Sequence, residues 1–264
     1  MIFKSATVAA SGLILLYTAV FFAVKFGWTN VAGRVDPRSA EFQAARPTVP
    51  AAPRWTRGEE WRTLATALRK DRPAIEGAAR AAGVSPRLVA AVIVPEQLRL
   101  FYSEREIFKQ IFAPLKILGN QTQFSWGVAG LKQETAKQIE EHLKDAASSF
   151  YLGPTNESLL DFQTDQPDEE RFNRLTDDGD HYYSYLYAAL FLKQVITQWE
   201  KAGFPIHDRP EILATLFNIG FEHSAPKTAP QVGGAVLEIG NEELGFGRLA
   251  YEFYYSVELP ELTD

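Results

Sequence analysis

The longest uninterrupted apolar run lies near the amino terminus. Residues 6–24 read ATVAASGLILLYTAVFFAV and contain no charged side chain. One helix of this length crosses about 30 Å of hydrocarbon, so the run predicts a transmembrane helix. A cleaved signal peptide is the alternative, but the run is long for the apolar core of one, and no clear cleavage site precedes Gly27. We therefore expect an uncleaved anchor over residues 1–27.

Charged residues on both sides of this run leave its orientation open. Lys4 lies before it, and Lys25, Arg34 and Arg38 lie after it. Because the positive-inside rule counts flanking charges on both sides, a periplasmic domain and a cytoplasm-facing helical adaptor are both compatible with the sequence. Residues 28–56 are rich in Pro, Ala and Arg, a composition that favours an extended tether over helix or strand.

The remaining chain, residues 57–264, has the spacing of a helical domain. Residues that favour the first turn of a helix recur, and they are Ser85 with Pro86, Ser103 with Glu106, and Asp208 with Pro210 and Glu211. Helical periodicity or composition marks three later segments, which span residues 133–146, 181–201 and 241–256. Because no alternating run with hairpin-turn residues stands out, we predict an all-α domain with little or no sheet.

An acidic stretch interrupts the predicted helices. Residues 148–179 hold many Asp, Glu, Asn and Pro side chains and are too polar to form a core, so we expect a surface insertion or a mobile lid. Asp177, Asp178 and Asp180 match only part of a calcium-binding loop. We predict no metal site there.

Composition and charge exclude several functions. The net charge of −6 provides no basic surface for a phosphate backbone, so nucleic acid is not an expected partner. The absence of cysteine excludes disulfides, thiolate nucleophiles and cysteine-ligated metals. The four histidines show no metal-ligand spacing, and we predict no metal and no cofactor.

One segment carries candidate chemistry. Residues 85–98 read SPRLVAAVIVPEQL, in which the run from Leu88 to Val94 is apolar and indicates a helix buried on nearly all sides. Pro95 removes a backbone donor and is expected to kink or end the helix beside Glu96. A carboxylate at the edge of a core is disfavoured in its charged form, which suits a general acid for glycoside cleavage. The alternative, from this segment alone, is a solvated glutamate at a helix end.

Two further segments follow in order: FSWGVAGLKQETA at 124–136 and RPEILATLFNIG at 209–220. Together with the Glu96 segment they resemble the lytic transglycosylases and goose-type lysozymes. The pattern of that superfamily is a helix ending in Glu-Ser, a Gly-Leu-Met-Gln-type loop leading to Thr-Ala, and a later Ala-x-Tyr-Asn-x-Gly. The resemblance covers roughly residues 75–225 and implies a lysozyme-like helical fold in a divergent member.

The glutamate and the loop carry most of the match. Glu96 takes the place of the superfamily's catalytic glutamate, and Gln97 replaces its usual serine. An ungapped alignment starts the loop at Gly127 and reaches the Thr-Ala pair at 135–136, but it puts Gly130 where the family has Gln. A shifted alignment matches the Gly, Leu and Gln of the loop at 130–133 and spoils the distance to Thr-Ala.

The third motif has one departure, since Phe217 replaces the tyrosine that precedes Asn218. By resemblance, the loop and this motif line a groove for glycan strands. The implied substrate-binding residues are Gln97, Ser125, Trp126, Gly127, Phe217 and Asn218.

The resemblance also implies the reaction. Glu96 would protonate the glycosidic oxygen between N-acetylmuramic acid and N-acetylglucosamine, and would then deprotonate the muramoyl C6 hydroxyl to close a 1,6-anhydro ring. This lyase reaction needs one carboxylate. No second carboxylate shares a motif with Glu96, as an ordinary two-carboxylate glycosidase would require.

The sequence therefore predicts a single-pass protein of a bacterial inner membrane, with a periplasmic domain that cleaves the peptidoglycan of the cell wall. Hydrolase chemistry is an alternative, because it differs only in whether water or the C6 hydroxyl is placed for attack. A second alternative is an inactive protein that keeps the fold and binds glycan or acts as a scaffold, since Gln97, Gly130 and Phe217 depart from the pattern.

Overall fold

The computed structural model describes residues 34–36, 38–44, 46–102, 125–239 and 242–263. The predicted membrane anchor, the first residues of the predicted tether, and the helix start at Ser103 and Glu106 lie outside the described residues.

Helices make up most of the described chain. They are α1 (Ser39–Ala44), α2 (Glu59–Lys70), α3 (Arg72–Ala82), α4 (Pro86–Tyr102), α5 (Gln133–Lys144), α6 (Pro167–Thr176), α7 (Tyr182–Lys201), α8 (Pro210–Ile219) and α9 (Phe246–Tyr254). Short 3-10 turns span Arg54–Arg57, Pro154–Asn156, Phe221–His223 and Pro260–Leu262. The prediction of a mostly helical domain is confirmed.

The helix boundaries follow local signals. Gly83 ends α3 in a left-handed conformation, with φ of 68°, in which an L side chain is strained. Pro86 and Pro210 stand in the first turns of α4 and α8, where a missing backbone donor costs nothing. These two starts, and the segments predicted at 133–146 and 181–201, agree with the structure within two residues.

The strands of the described residues form three small antiparallel pairs. They are β1 (Arg34–Val35) with β4 (Gly233–Gly234), β2 (Ser125–Trp126) with β3 (Leu131–Lys132), and β5 (Val236–Ile239) with β6 (Glu242–Gly245). The last helix was predicted to begin at residue 241, and this was wrong: α9 begins at Phe246 because β6 pairs with β5 first. In β5, Leu237 and Ile239 are buried and Glu238 is exposed, which is the alternation of a strand.

The core lies around α4 and α7. Every residue from Val89 to Val94 is fully buried, as is the run from Tyr187 to Leu192. α3 packs on α7, and α9 packs on both α4 and α8. In the part of the chain that is described, no single helix is long and apolar enough to cross a membrane, and α3 and α4 reach that length only as a pair bent by 118°.

The segment predicted as a free tether is packed from residue 34 onward. Phe42 in α1 is 5% exposed and meets the ring of Tyr251 edge to face at 5.0 Å between centroids. The Tyr251 hydroxyl donates to the Pro47 carbonyl at 2.8 Å, and the backbone N–H of Val257 donates to the carbonyl of Ala51 at 2.9 Å. The segment contains α1 and a 3-10 turn, and its contacts with α9 and with the chain after α9 make it part of the domain.

The acidic insertion at 148–179 is also packed in part. Leu160 and Leu175 are buried, and α6 lies within the segment. Arg171 is 4% exposed and donates to both carboxylate oxygens of Glu140 at 2.6 Å. Since buried charges are tolerated only when they are paired, this ion pair fastens α6 to α5, and the insertion is a packed surface element.

Candidate active site

Glu96 lies inside the core and not at a helix end. Pro95 was predicted to kink or end the helix, and the second alternative was wrong, since α4 runs through Pro95 as far as Tyr102. A proline removes one backbone hydrogen bond, and a helix packed on nearly all sides retains enough others to continue. Glu96 is 3% exposed as a result.

The continued helix brings Arg99 onto Glu96. Arg99 Nε donates to Glu96 Oε2 at 3.2 Å, and Arg99 Nη2 donates to Oε1 at 2.5 Å. The Glu96 side chain is 4% exposed and the Arg99 side chain 20% exposed. Both carboxylate oxygens are therefore engaged by one guanidinium, a strong bidentate geometry, and Glu96 has to leave this pair before it can donate a proton.

The β2–β3 hairpin closes over the other side of Glu96. Gly130 has φ of 59°, and a Cβ added there would lie 2.1 Å from Glu96 Oε1. Only glycine permits this approach. The neighbouring Gln97 donates from Nε2 to the Val128 carbonyl at 2.5 Å, so both residues of the Glu-Gln pair contact the hairpin. Gly130, a departure from the superfamily's pattern in the ungapped alignment, has a steric role here.

Gly127 lies against α6 and α7. With φ of 63°, a Cβ there would lie 1.9 Å from the Leu175 carbonyl oxygen and 2.6 Å from Ser184 Oγ. Ser184 Oγ also accepts a hydrogen bond from the Ala129 backbone N–H at 3.2 Å. α6 and α7 therefore set the position of the hairpin, and Gly127 acts through packing.

Strand β2 consists of Ser125 and Trp126, both of which were predicted to bind substrate. Trp126 is 6% exposed and meets Phe172 edge to face at 5.1 Å. This burial does not fit the predicted sugar contact, because a stacking aromatic has to present a ring face to the ligand. The backbone of Ser125 pairs with Lys132, and the Ser125 side chain lies outside the description.

The third motif is engaged elsewhere in the fold. Phe217 is 9% exposed and packs edge to face on Phe191 of α7 at 5.3 Å. Asn218 Oδ1 accepts from the backbone N–H of Ala235 at 2.8 Å and lies close to Gly234, so it holds the chain between β4 and β5 at the end of α8. Glu96 and Gln97 therefore contact the hairpin. Phe217 and Asn218 instead contact α7 and the chain between β4 and β5.

Two charged residues of interest escaped the sequence reasoning. Arg99 was missed because Pro95 was expected to kink or end the helix beside Glu96, although the spacing of Arg99 from Glu96 places the two side chains on neighbouring turns of a continuous helix. Glu211, noted only for its place in a first turn, is fully buried, pairs with Arg209, and has an Oε2 atom with no hydrogen-bond partner.

A surface cleft of about 230 Å³ lies away from Glu96, between the segment before α2 and helix α9. Each charged lining residue has a partner of opposite charge: Arg54 pairs with Glu242 at 3.1 Å, Arg248 with Glu252 at 2.8 Å, and Arg38 with Glu41, just outside the lining, at 2.6 Å. Because these charges are satisfied within the protein, the cleft has no strong preference for an ion of either sign.

Asp177, Asp178 and Asp180, which match part of a calcium-binding loop, lie in a turn. Asp177 Oδ1 accepts from the backbone N–H groups of Gly179 and Asp180 at 2.8 Å and 3.2 Å. This arrangement is an Asx turn. Within the described residues, no group of three or more His, Asp or Glu side chains is placed to hold a metal ion.

Comparison of the chain with protein-family models, with curated proteins and with solved structures gave no match. The fold and the site define a mostly helical protein in which a partly buried glutamate–arginine pair lies against a glycine-containing hairpin.

Proposed function

We propose that this chain is a membrane-anchored lytic transglycosylase with a lysozyme-like domain, which cleaves peptidoglycan with Glu96 as its single acid and base. The supporting observation is the contact between Glu96 and Gly130, which joins the first two motifs of the resemblance in space. Glu96 is 3% exposed, and once it is separated from Arg99 and protonated it is placed to act as a general acid.

In the proposed reaction, the Glu96 carboxyl group protonates the glycosidic oxygen of the leaving sugar. The resulting carboxylate then accepts the proton of the C6 hydroxyl as that oxygen attacks C1. Gln97 fixes the hairpin through the Val128 carbonyl, so the backbone around Gly130 keeps its place beside the acid.

A second candidate function is a non-catalytic protein that binds glycan or acts as a scaffold. The observation that favours it is the bidentate pair with Arg99, which occupies both oxygens of Glu96. In that case the pair is a structural element of α4, and its loss would lower the stability of the protein without affecting any catalytic step.

The location that we propose, a bacterial inner membrane with the domain in the periplasm, follows from the substrate. The helix predicted over residues 6–24 would supply the anchor. A reporter fused after Asp264 tests this in cells, and a reporter that is active only in the cytoplasm would rule out a peptidoglycan substrate.

Replacement of Glu96 by Gln tests the enzymatic function. Full-length protein in detergent is incubated with purified sacculi, and released muropeptides are analysed by mass spectrometry. We expect 1,6-anhydro products from the wild type, and a loss of about 100-fold or more in Glu96→Gln, as for removal of a general acid. Glu211→Gln is a matched control, because Glu211 is also a buried carboxylate paired with an arginine, and it should retain activity.

Three outcomes separate the candidates. Products with ordinary reducing ends would indicate a hydrolase. Absence of any product from the wild type, with equal binding of sacculi by wild type and Glu96→Gln, would favour the non-catalytic function. Equal loss of activity in Glu96→Gln and Glu211→Gln would show that the effect of Glu96 is structural.

A further inference from the structure

We propose that Arg99 recognises a carboxylate of the glycan strand, and that this contact releases Glu96 for catalysis. The inference rests on the proposed function and names the chemical group that selects its substrate. Arg99 is a substrate-binding residue in this proposal, and it affects the reaction through Glu96.

The geometry places Arg99 on the solvent side of the pair. Its side chain is 20% exposed, whereas that of Glu96 is 4% exposed. The two bonds to Glu96 use Nε and Nη2, and a guanidinium carries five N–H donors in all. Nη1 and the second hydrogen of Nη2 therefore take no part in these two bonds. Planar bidentate recognition of a carboxylate is the arrangement that arginine favours.

The chemistry of an acid requires the pair to open. A carboxylate that accepts two hydrogen bonds from Arg99 has no proton to give to a glycosidic oxygen. If Arg99 moved away with no replacement partner, its own charge would be left without compensation near the protein interior. An anionic group on the substrate removes this penalty, because Arg99 exchanges one carboxylate for another.

The exchange is balanced in charge and protons. The substrate carboxylate takes the place of Glu96 at the guanidinium. Glu96 has to take up one proton from solvent at this stage, and in that form it is the acid that the reaction needs. Binding energy from a part of the substrate that does not react is thereby used to prepare the catalytic group.

Peptidoglycan offers such carboxylates close to its backbone. One source is the lactyl group of muramic acid, which is a free carboxylate where the stem peptide has been removed. The other is the stem peptide itself. Neutral oligomers of N-acetylglucosamine have the same β-1,4 linkage and no carboxylate, so they lack the group that would open the pair.

The test compares three soluble substrates of matched length: neutral N-acetylglucosamine oligomers, peptide-bearing strands, and peptide-free strands prepared with an amidase. Full-length wild type, Arg99→Gln and Arg99→Lys are assayed on each. We expect the wild type to cleave carboxylate-bearing strands about tenfold faster or more than neutral ones, as for loss of one partner of a charge pair. Arg99→Gln should lose this preference, and Arg99→Lys should recover part of it.

The outcomes distinguish the sources and the hypotheses. A preference for peptide-free strands identifies the lactyl carboxylate, and a preference for peptide-bearing strands identifies the stem peptide. Equal cleavage of neutral and anionic strands by the wild type, a comparison that needs no variant to fold, overturns the role of Arg99 and leaves the proposed function standing. An unchanged preference in folded Arg99→Gln does the same. No cleavage of any substrate by the wild type overturns both.

Discussion

Gly130 limits where the carboxylate of Glu96 can lie. It combines φ of 59° with an approach that would bring a Cβ to 2.1 Å from Glu96 Oε1. Gly83 is a matched reference, because its φ is 68° and a Cβ there would meet nothing within 4 Å. Both substitutions by alanine incur the backbone strain of a left-handed conformation, about 1 kcal/mol, and only one incurs a clash.

We therefore expect Gly130→Ala to destabilise the protein by about 2 kcal/mol more than Gly83→Ala, the usual cost of overpacking a filled site. Chemical denaturation of both variants measures the difference. Equal losses of unfolding free energy would mean that Glu96 moves aside freely and that the hairpin does not hold it.

The sequence allowed one member of the buried ion pair to be predicted and not the other. Glu96 stood out because a carboxylate followed a long apolar run. Arg99 did not, since Pro95 indicated a helix end and tertiary packing overrode that local signal. The approach of Gly130 to Glu96 depends on the relative placement of a helix and a hairpin, which no local pattern encodes.

At the scale of elements, the segment before α2 is the largest departure from the prediction. Its prolines and arginines indicated a tether, yet Phe42 is 5% exposed and packs on Tyr251 of α9. The signal that could have identified this packing is a lone aromatic side chain in a polar stretch. A single residue has no periodicity, so it does not predict a buried element.

Phe42→Ala tests whether this segment belongs to the folded domain. Removal of a buried phenylalanine leaves a cavity and costs about 3 kcal/mol or more. Val35→Ala is the control, because Val35 lies in the same segment and is 51% exposed, and its replacement should change stability by less than about 0.5 kcal/mol. Thermal unfolding of the full chain measures both changes. An unchanged melting temperature in Phe42→Ala would mean that the segment before α2 acts as a tether and does not stabilise the domain.

Helices with a long periodic pattern were predictable, and short strands were not. α5 and α7 were recognised because their apolar positions recur over three or more turns. β6 has four residues, which were predicted to belong to the last helix. In the structure they pair with β5 instead. Pairing of this kind depends on register between two strands, which single-strand propensity does not determine.

At the scale of the whole molecule, the order of the three motifs along the chain did not determine which of them meet. The Glu96 segment and the hairpin are in contact, because α4 and the hairpin lie on either side of the same carboxylate. The third motif instead uses Asn218 to hold the connection between β4 and β5. The order of the motifs along the sequence therefore supported the choice of Glu96. The roles of the other motif residues could be assigned only from the way in which α6, α7 and α8 pack.

His142 links distant parts of the fold and makes their association sensitive to acid. Its ring lies 4.6 Å from Phe150 and 4.9 Å from Phe221 between centroids, so it joins α5 to the insertion and to the turn after α8. Desolvation lowers the pKa of His142 below its ordinary value, although Glu141 and Asp145 oppose the shift. The unfolded chain therefore binds a proton more readily than the folded one.

The stabilising contribution of neutral His142 is fully present above the unfolded pKa near 6.5 and is lost as the pH falls through the lower folded pKa. We expect the melting temperature of the wild type to fall between about pH 7.5 and 5.5, before exposed carboxylates titrate. His142→Asn, which can still bond to Ser148, should show a flatter profile, whereas His207→Asn should follow the wild type because the His207 side chain is 65% exposed. Parallel profiles for wild type and His142→Asn would place the acid sensitivity elsewhere in the molecule.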